Sequence, residues 1–222
     1  MSTKKKLTEY LDFVAQQPKG FVYHAPTEKG VTKEKELMLE TLKKRYKNCQ
    51  KCPLAKQGRT QVVFGHGAAN TIVMFVGEGP GRDEDLQGKP FVGRSGQLLT
   101  KIIEAMQFSR QDVYISNAVK CRPPNNRTPT IEERETCKNL LLLKEIDIIK
   151  PKIICTLGSP ATMALLGDDI AISKIRGTFC SFKNILVMPT YHPAYLLRNP
   201  AEKKTVWEDM KKVMEKLKEL TA

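Results

Sequence analysis

Short runs of β-branched and aliphatic residues alternate with amphipathic stretches along most of the chain. Four such apolar runs predict buried strands, over residues 71–76, 113–119, 152–157 and 185–189. The stretches between and after them carry apolar residues at helical spacing and predict helices, over residues 96–106, about 130–149, after 159 and about 201–220. Strands that alternate with helices favour right-handed crossovers and a mainly parallel sheet covered on both faces. We therefore predict an α/β protein, a three-layer α/β/α sandwich around a four-stranded sheet.

The first part of the chain lacks such a sustained pattern. Over residues 1–32 only a brief helix is predicted, from the apolar positions Leu7, Tyr10, Leu11 and Val14. A longer helix is predicted over residues 32–47. We expect residues 1–45 to form a partly helical extension and residues 46–222 to form the main domain. Because no apolar run of about 7 residues occurs within the first thirty, we expect no secretory signal and a cytoplasmic protein.

Basic residues outnumber acidic ones, 37 to 24, which gives a formal net charge of +13. A basic surface attracts polyanions, and nucleic acid is the foremost candidate partner. Many basic proteins bind no nucleic acid, so the charge alone does not decide the matter. The longest apolar runs fall far short of the ~20 residues that span a bilayer, which predicts a protein without a membrane partner. A monomer is the default expectation.

Six cysteines in a reducing compartment are better explained as ligands than as a disulfide framework. Four of them suit one site, namely the C-x2-C pair Cys49 and Cys52 together with Cys121 and Cys137. Zinc and a [4Fe–4S] cluster both accept four cysteines, and the spacing does not separate them. Cys155 lies within an apolar run and predicts a small buried side chain, and Cys180 is isolated. We expect both of these to be inert.

In a parallel sheet, ligands bind beyond the carboxyl ends of the strands. The first loop there, residues 77–93, contains Gly-Glu-Gly-Pro-Gly-Arg-Asp-Glu-Asp. It is not the dinucleotide fingerprint, because Arg82 stands where the third glycine is needed, and no Gly-Lys-Ser/Thr follows to make a phosphate loop. It does offer backbone N–H groups beside Glu78 and Glu84.

The other two loops carry a polar residue directly at a strand end. Residues 117–128 begin with Asn117, which either forms a turn or presents its amide at the sheet edge. Residues 190–198 contain His192 and then Tyr-Leu-Leu-Arg, which is too apolar for an ordinary surface loop.

Together these segments resemble the family 4 uracil-DNA glycosylases, the iron–sulfur branch of their superfamily. The resemblance rests on the four cysteines and on the segments GEGPGRDED, KPFVGRSGQLL, VYISNAVKCRPPNNRTPT and YHPAYLLR, and it covers about residues 46–222. It implies an enzyme that flips uracil out of DNA and hydrolyses its N-glycosidic bond, which leaves an abasic site. It also implies a [4Fe–4S] cluster on Cys49, Cys52, Cys121 and Cys137, which we expect to be structural.

The resemblance assigns the recognition of the base to three side chains. Phe91 is expected to stack on the flipped base. The Asn117 amide matches uracil N3–H and O4, whereas cytosine presents the reverse pattern. Glu84 is expected to block the 5-methyl group of thymine.

Bond cleavage places negative charge on uracil O2, where hydrogen-bond donors stabilise the transition state. His192 and the backbone N–H groups around Gly79 are the candidate donors. The aspartate that handles water in the best-known branch of the superfamily is replaced here by Gly79. Glu78 is then the nearest carboxylate for that task.

Further residues are expected to contact the DNA duplex. Tyr195 or Leu196 is expected to wedge into the duplex, and Arg198 and Lys120 to contact phosphates. A relative that traps uracil covalently is an alternative, but residues 121–128 form a short loop without the histidine of that branch. A non-enzymatic iron–sulfur module that serves a polymerase is another.

Overall fold

The computed structural model describes residues 29–168 and 170–221. The brief helix predicted near Leu7 lies outside these residues. Helix α1 spans Lys29–Tyr46 and ends just before the first cysteine pair. Although α1 begins inside the predicted extension, Leu39, Leu42 and Tyr46 on one side of it are buried against the rest of the protein. The division at residue 45 stays a prediction.

Within the described residues the sheet has six strands: β1 His66–Gly67, β2 Val73–Gly77, β3 Tyr114–Asn117, β4 Ile153–Leu157, β5 Cys180–Phe182 and β6 Ile185–Thr190. Their order is β1-β3-β2-β4-β6-β5. The four central strands are parallel and are the four predicted from the sequence, so the α/β class with a mainly parallel sheet is confirmed. The two edge strands are antiparallel additions that the sequence analysis missed.

Eight further α-helices surround the sheet in the described part of the chain: α2 Arg82–Gln87, α3 Arg94–Ala105, α4 Ile131–Cys137, α5 Leu143–Ile149, α6 Ser159–Leu166, α7 Ile172–Ile175, α8 Pro193–Arg198 and α9 Lys203–Thr221. The single helix predicted over residues 130–149 is α4 and α5, joined by a π-helical turn over Lys138–Leu142. No helix within residues 29–168 or 170–221 is long and apolar enough to cross a bilayer.

Apolar side chains fill both faces of the sheet, as the prediction of three layers requires. On one face Phe75 and Ile115 pack with Leu99 of α3 and Trp207 of α9. On the other face Met74 and Val76 pack with residues of α5 and α6. A third cluster lies between the end of α1 and α4 and contains cysteines. The sheet thus acts as a rigid base for the loops at its carboxyl edge.

Candidate active site

A pocket of about 440 Å³ opens at the carboxyl ends of β2, β3 and β6, a size typical of small-molecule sites. It brings together eight of the residues predicted for the site: Glu78, Gly79, Glu84, Phe91, Asn117, His192, Tyr195 and Arg198. These residues come from three separate loops of the chain. The strand order places those loops side by side, because β2 lies between β3 and β4 and β6 follows β4.

The floor of the pocket depends on Gly77, the last residue of β2. A Cβ atom added to Gly77 would lie 2.5 Å from Asn117 Oδ1 and 2.5 Å from Phe91 Cζ, so a side chain there would displace both. The backbone N–H of Ala118 donates to Gly77 O at 2.8 Å, and that of Val119 donates to Glu78 O at 3.1 Å. The first two loops are therefore locked to one another by main-chain bonds.

Asn117 presents an unused acceptor to this pocket. Its side chain lies at the end of β3 and is only 2% exposed. Its Oδ1 atom accepts no hydrogen bond from the described residues. An unsatisfied buried acceptor costs about 1–3 kcal/mol, so the site is built to receive an N–H group.

Phe91 has an unusual backbone for a bulky side chain, with a φ of 53°. Its ring stacks on the His192 ring, with 5.5 Å between centroids and 29° between planes. Arg110 Nη2 donates to Pro90 O at 2.5 Å and helps to hold this turn. Residues held in such conformations cluster at binding sites, where the surrounding structure compensates for the strain.

The Glu84 carboxylate holds the turn that carries Phe91. Its Oε1 atom accepts the backbone N–H groups of Val92 and Gly93 at 2.9 Å each, and Oε2 accepts that of Gly81 at 3.2 Å. The carboxylate therefore joins the loop after β2 to the turn that carries Phe91. The sequence analysis did not predict this positioning task. The expected steric block against a methyl group stays a prediction.

His192 is held as a neutral imidazole. Its Nδ1 atom accepts the backbone N–H of Ala194 at 3.0 Å at the start of α8, which leaves the proton of the neutral ring on Nε2. Burial, together with the positive charge of Arg198, lowers the pKa of His192 to about 4. Near neutral pH the ring is therefore an uncharged donor.

Glu78 is half-buried at the pocket wall. Burial raises the pKa of this carboxyl, while a hydrogen bond with the Thr128 side chain and the charge of Arg134 both act to lower it. The carboxyl group therefore ionises at a higher pH than an ordinary glutamate does. Such tuning is typical of carboxylates with a chemical task.

The four predicted cysteine ligands gather in one cluster. Cys121 and Cys137 are buried, and Cys49 and Cys52 pack against them beside Leu54. Burial raises the pKa of Cys121 to about 11 and that of Cys137 to about 12.

Two N–H groups point at the sulfur atoms of this cluster. Arg59 Nη1 donates to Cys121 Sγ at 2.6 Å, and the backbone N–H of Lys120 donates to Cys137 Sγ at 3.2 Å. In the described residues, no group of three or more His, Cys, Asp or Glu side chains is arranged to hold a metal ion. Cys155 is fully buried in β4, as predicted, and Cys180 lies in β5.

Residues 64–211 match the sequence model of the uracil DNA glycosylase superfamily. The chain belongs to this superfamily. A type-4 uracil-DNA glycosylase from Thermotoga maritima is 46% identical over 182 residues, which cover 80% of this chain and 94% of that protein. The type-4 enzyme from Saccharolobus solfataricus is 45% identical over 188 residues, 81% of this chain and 86% of that protein. That from Sulfurisphaera tokodaii is 46% identical over 186 residues, 80% and 84% respectively.

Two of the predicted DNA contacts of this superfamily member are wrong. Leu196 is 1% exposed and belongs to the main core, because residues 193–198 form a helix that turns it inward. Its neighbour Leu197 is 37% exposed. Lys120 is fully buried and pairs with Glu145 at 2.7 Å, so it does not reach phosphates. Neither burial is visible in the sequence, because each depends on a tertiary partner.

The pocket is also lined by residues that the sequence analysis did not select: Ser95, Asn126, Arg127 and Thr128. Arg127 forms a bidentate ion pair with Glu133, at 2.7 and 2.8 Å. Glu133 in turn closes a capping box with Thr130 at the start of α4. The Thr-x-x-Glu spacing of that box was the one available signal in the sequence, and it marks the helix start, not the pocket.

Proposed function

We propose that this protein excises uracil from DNA by hydrolysing the N-glycosidic bond, which releases free uracil and leaves an abasic site. The observation that carries the proposal is the unsatisfied, buried Oδ1 of Asn117 in a pocket that also contains Phe91 and His192. Membership of the superfamily and the type-4 relatives support it.

Base recognition follows from the chemistry of the Asn117 amide. Its free Oδ1 accepts from uracil N3–H, and its NH₂ group donates to uracil O4. Cytosine would place an acceptor against Oδ1 and a donor against NH₂. Stacking on Phe91 adds affinity that does not depend on the base. The pocket therefore selects by hydrogen bonding and holds by stacking.

Catalysis requires a donor that strengthens as charge develops on uracil O2. The Nε2–H group of neutral His192 is that donor in our proposal, with the backbone N–H groups near Gly79 beside it. A neutral imidazole stabilises the departing anion without having to transfer its proton. A donor prearranged in a pocket closed to water is commonly worth ~3–4 kcal/mol of barrier.

Glu78 is proposed to position the water that attacks C1′. It faces the same pocket, and Thr128 orients its carboxyl group. Only the ionised form accepts a hydrogen bond from that water. The activity should therefore fall as the pH drops through the raised pKa of Glu78.

Contacts with the DNA backbone and duplex are proposed for the rim of the pocket. Arg198 is exposed there, and the Tyr195 ring lies 4.9 Å from that of Tyr191. With Leu196 buried, Tyr195 and Leu197 are the side chains of α8 proposed to enter the duplex, and Leu197 is the more exposed of the two. The net charge of +13 favours the approach to DNA.

A [4Fe–4S] cluster is proposed on Cys49, Cys52, Cys121 and Cys137. The chemistry of the donor set supports this, since four thiols from three segments share one cluster. Two of them also accept hydrogen bonds, Cys121 from Arg59 and Cys137 from the Lys120 backbone. Such bonds to cysteine sulfur are a usual feature of iron–sulfur sites. When bound, the group would supply iron–thiolate bonds that tie the loop after α1 to β3 and α4. We propose a structural role for it, in a cytoplasmic protein that acts as a monomer.

A turnover assay tests the proposed function. A DNA strand with a single uracil is incubated with the protein and then treated with alkali, which cleaves at abasic sites. We expect several strands cleaved per protein molecule. One stable protein–DNA adduct per molecule would instead indicate a trapping relative, and intact strands would indicate a binding module.

A further inference from the structure

Lys120 lies under the pocket floor with its charge removed from solvent. Its side chain is fully buried, and Nζ donates to Ser116 Oγ at 2.5 Å, Asn117 O at 2.7 Å and Glu145 Oε2 at 2.7 Å. All three protons of the ammonium group are therefore used. Burying a charge is costly, and a buried pair by itself is weak evidence for a gain in stability. The placement calls for another explanation.

Glu145 shows that this buried pair is part of a fixed network. It is 1% exposed and accepts the Ser116 hydroxyl at 2.7 Å and the Gly65 backbone N–H at 2.9 Å, besides the lysine. The carboxylate is thus held by Ser116 of β3 and by Gly65, the residue before β1, independently of the lysine. Lys120 in turn is held at a defined point below β3.

One bond of this network reaches the residue proposed to recognise uracil. Lys120 Nζ donates to the carbonyl of Asn117, and the next N–H, that of Ala118, donates to Gly77 O at 2.8 Å. The peptide group that follows Asn117 is therefore held at both ends. Because the Asn side chain is short, the orientation of this backbone decides where Oδ1 and NH₂ point.

We propose that Lys120 is a positioning residue for uracil recognition. This inference rests on the proposed function. It touches neither DNA nor uracil, and it acts by fixing the backbone of Asn117 so that the amide meets N3–H and O4. Polar groups of a binding site commonly need support of this kind, since a displacement of about 1 Å is enough to lose the productive geometry.

The test removes the buried lysine and its partner charge together. In Lys120→Met with Glu145→Gln no charge is left unpaired, but Asn117 O loses its donor. The matched control is Lys35→Met, which loses a lysine-to-carbonyl bond of 2.8 Å to Ile149 O at the end of α5, outside the pocket. If the double variant does not fold, Lys120→Gln with Glu145→Gln replaces it. Glutamine keeps a polar group in the space that the lysine side chain occupied, and it is too short to donate to Asn117 O.

Three readouts separate positioning from stability, all on cluster-loaded protein well below its Tm. We expect the double variant to bind free uracil at least tenfold more weakly and to excise at least tenfold more slowly, with unchanged affinity for uracil-free DNA. The control should match the native protein. In an Asn117→Ala background the double change should have no further effect on excision, because Lys120 acts through Asn117.

The opposite results are equally clear. Native uracil binding and excision in the double variant, with only a lower Tm, would overturn the positioning role and leave a structural ion pair. An additional loss in the Asn117→Ala background would show that Lys120 acts by another route. If the native protein itself excises no uracil, the proposed function fails and the positioning role fails with it, whereas native activity that the double variant retains overturns the positioning role alone.

Discussion

At the residue scale, the site depends on hydrogen-bonding groups whose states are set by their neighbours. Asn117 keeps Oδ1 free, and His192 keeps its proton on Nε2 because Nδ1 caps α8. Residue types and their positions at strand ends were predictable from the sequence. The free acceptor and the tautomer were not, because both depend on which atoms the fold brings within reach.

Replacing Asn117 by Asp should weaken uracil discrimination. A carboxylate accepts from cytosine N4 but cannot donate to uracil O4, so the variant loses one bond to uracil and gains one to cytosine. Excision rates on matched strands with uracil or cytosine measure this directly. Uracil excision at the native rate would show that Asn117 does not recognise the base.

The neutral state of His192 also predicts how stability depends on pH. Its pKa is about 4 in the folded protein and about 6.5 in the unfolded chain. Between these values the unfolded chain binds more protons, so the free energy of unfolding falls as the pH drops through this window. We expect the Tm of the native protein to fall more between pH 6.5 and 4 than that of His192→Gln. Parallel curves would mean that His192 is not held neutral.

At the element scale, the strands that carry long apolar runs were predicted correctly. Elements that are short, or that depend on tertiary contacts, were not. The four parallel strands each bury four or five residues, so their apolar runs give a strong signal. Strand β1 has two residues and β5 has three, too few for a periodic pattern. The sequence predicts a loop over the residues that form the short helix α8, and the helix turns Leu196 into the core.

The two leucines of α8 give a matched pair of variants. Leu196→Ala should lower the free energy of unfolding by about 2–5 kcal/mol, because it opens a cavity in the core. Leu197→Ala should leave stability nearly unchanged and slow excision from duplex DNA more than from single strands, because only a duplex has a gap to fill. Chemical denaturation and excision on both substrates give the comparison. Equal excision of both substrates by Leu197→Ala and the native protein would exclude Leu197 as the wedge.

At the scale of the whole molecule, the cysteine cluster joins segments that are distant in sequence. Lys120 connects this cluster to the pocket, because its backbone N–H donates to Cys137 Sγ and its Nζ donates to Asn117 O. The grouping of the four cysteines was predictable from the C-x2-C spacing and the family resemblance. The hydrogen bond from Arg59 was not, because 62 residues separate it from Cys121.

Protein purified without oxygen should be brown, with broad absorbance near roughly 400 nm and about four irons per chain. Cys121→Ser should lose the colour, because it removes a proposed ligand. Cys155→Ser and Cys180→Ser serve as controls and should keep it. A colourless protein with one zinc per chain would contradict the proposed cofactor.

The most direct measurement compares the rate and the binding of His192→Ala. If His192 stabilises charge that exists mainly in the transition state, its removal should slow the chemical step far more than it weakens DNA binding. We expect single-turnover excision to fall by about 100- to 1,000-fold, with near-native affinity for a uracil-bearing duplex and an intact cluster. A variant that excises at more than about half the native rate would make His192 a structural residue and move the catalytic task to Glu78 and the loop amides.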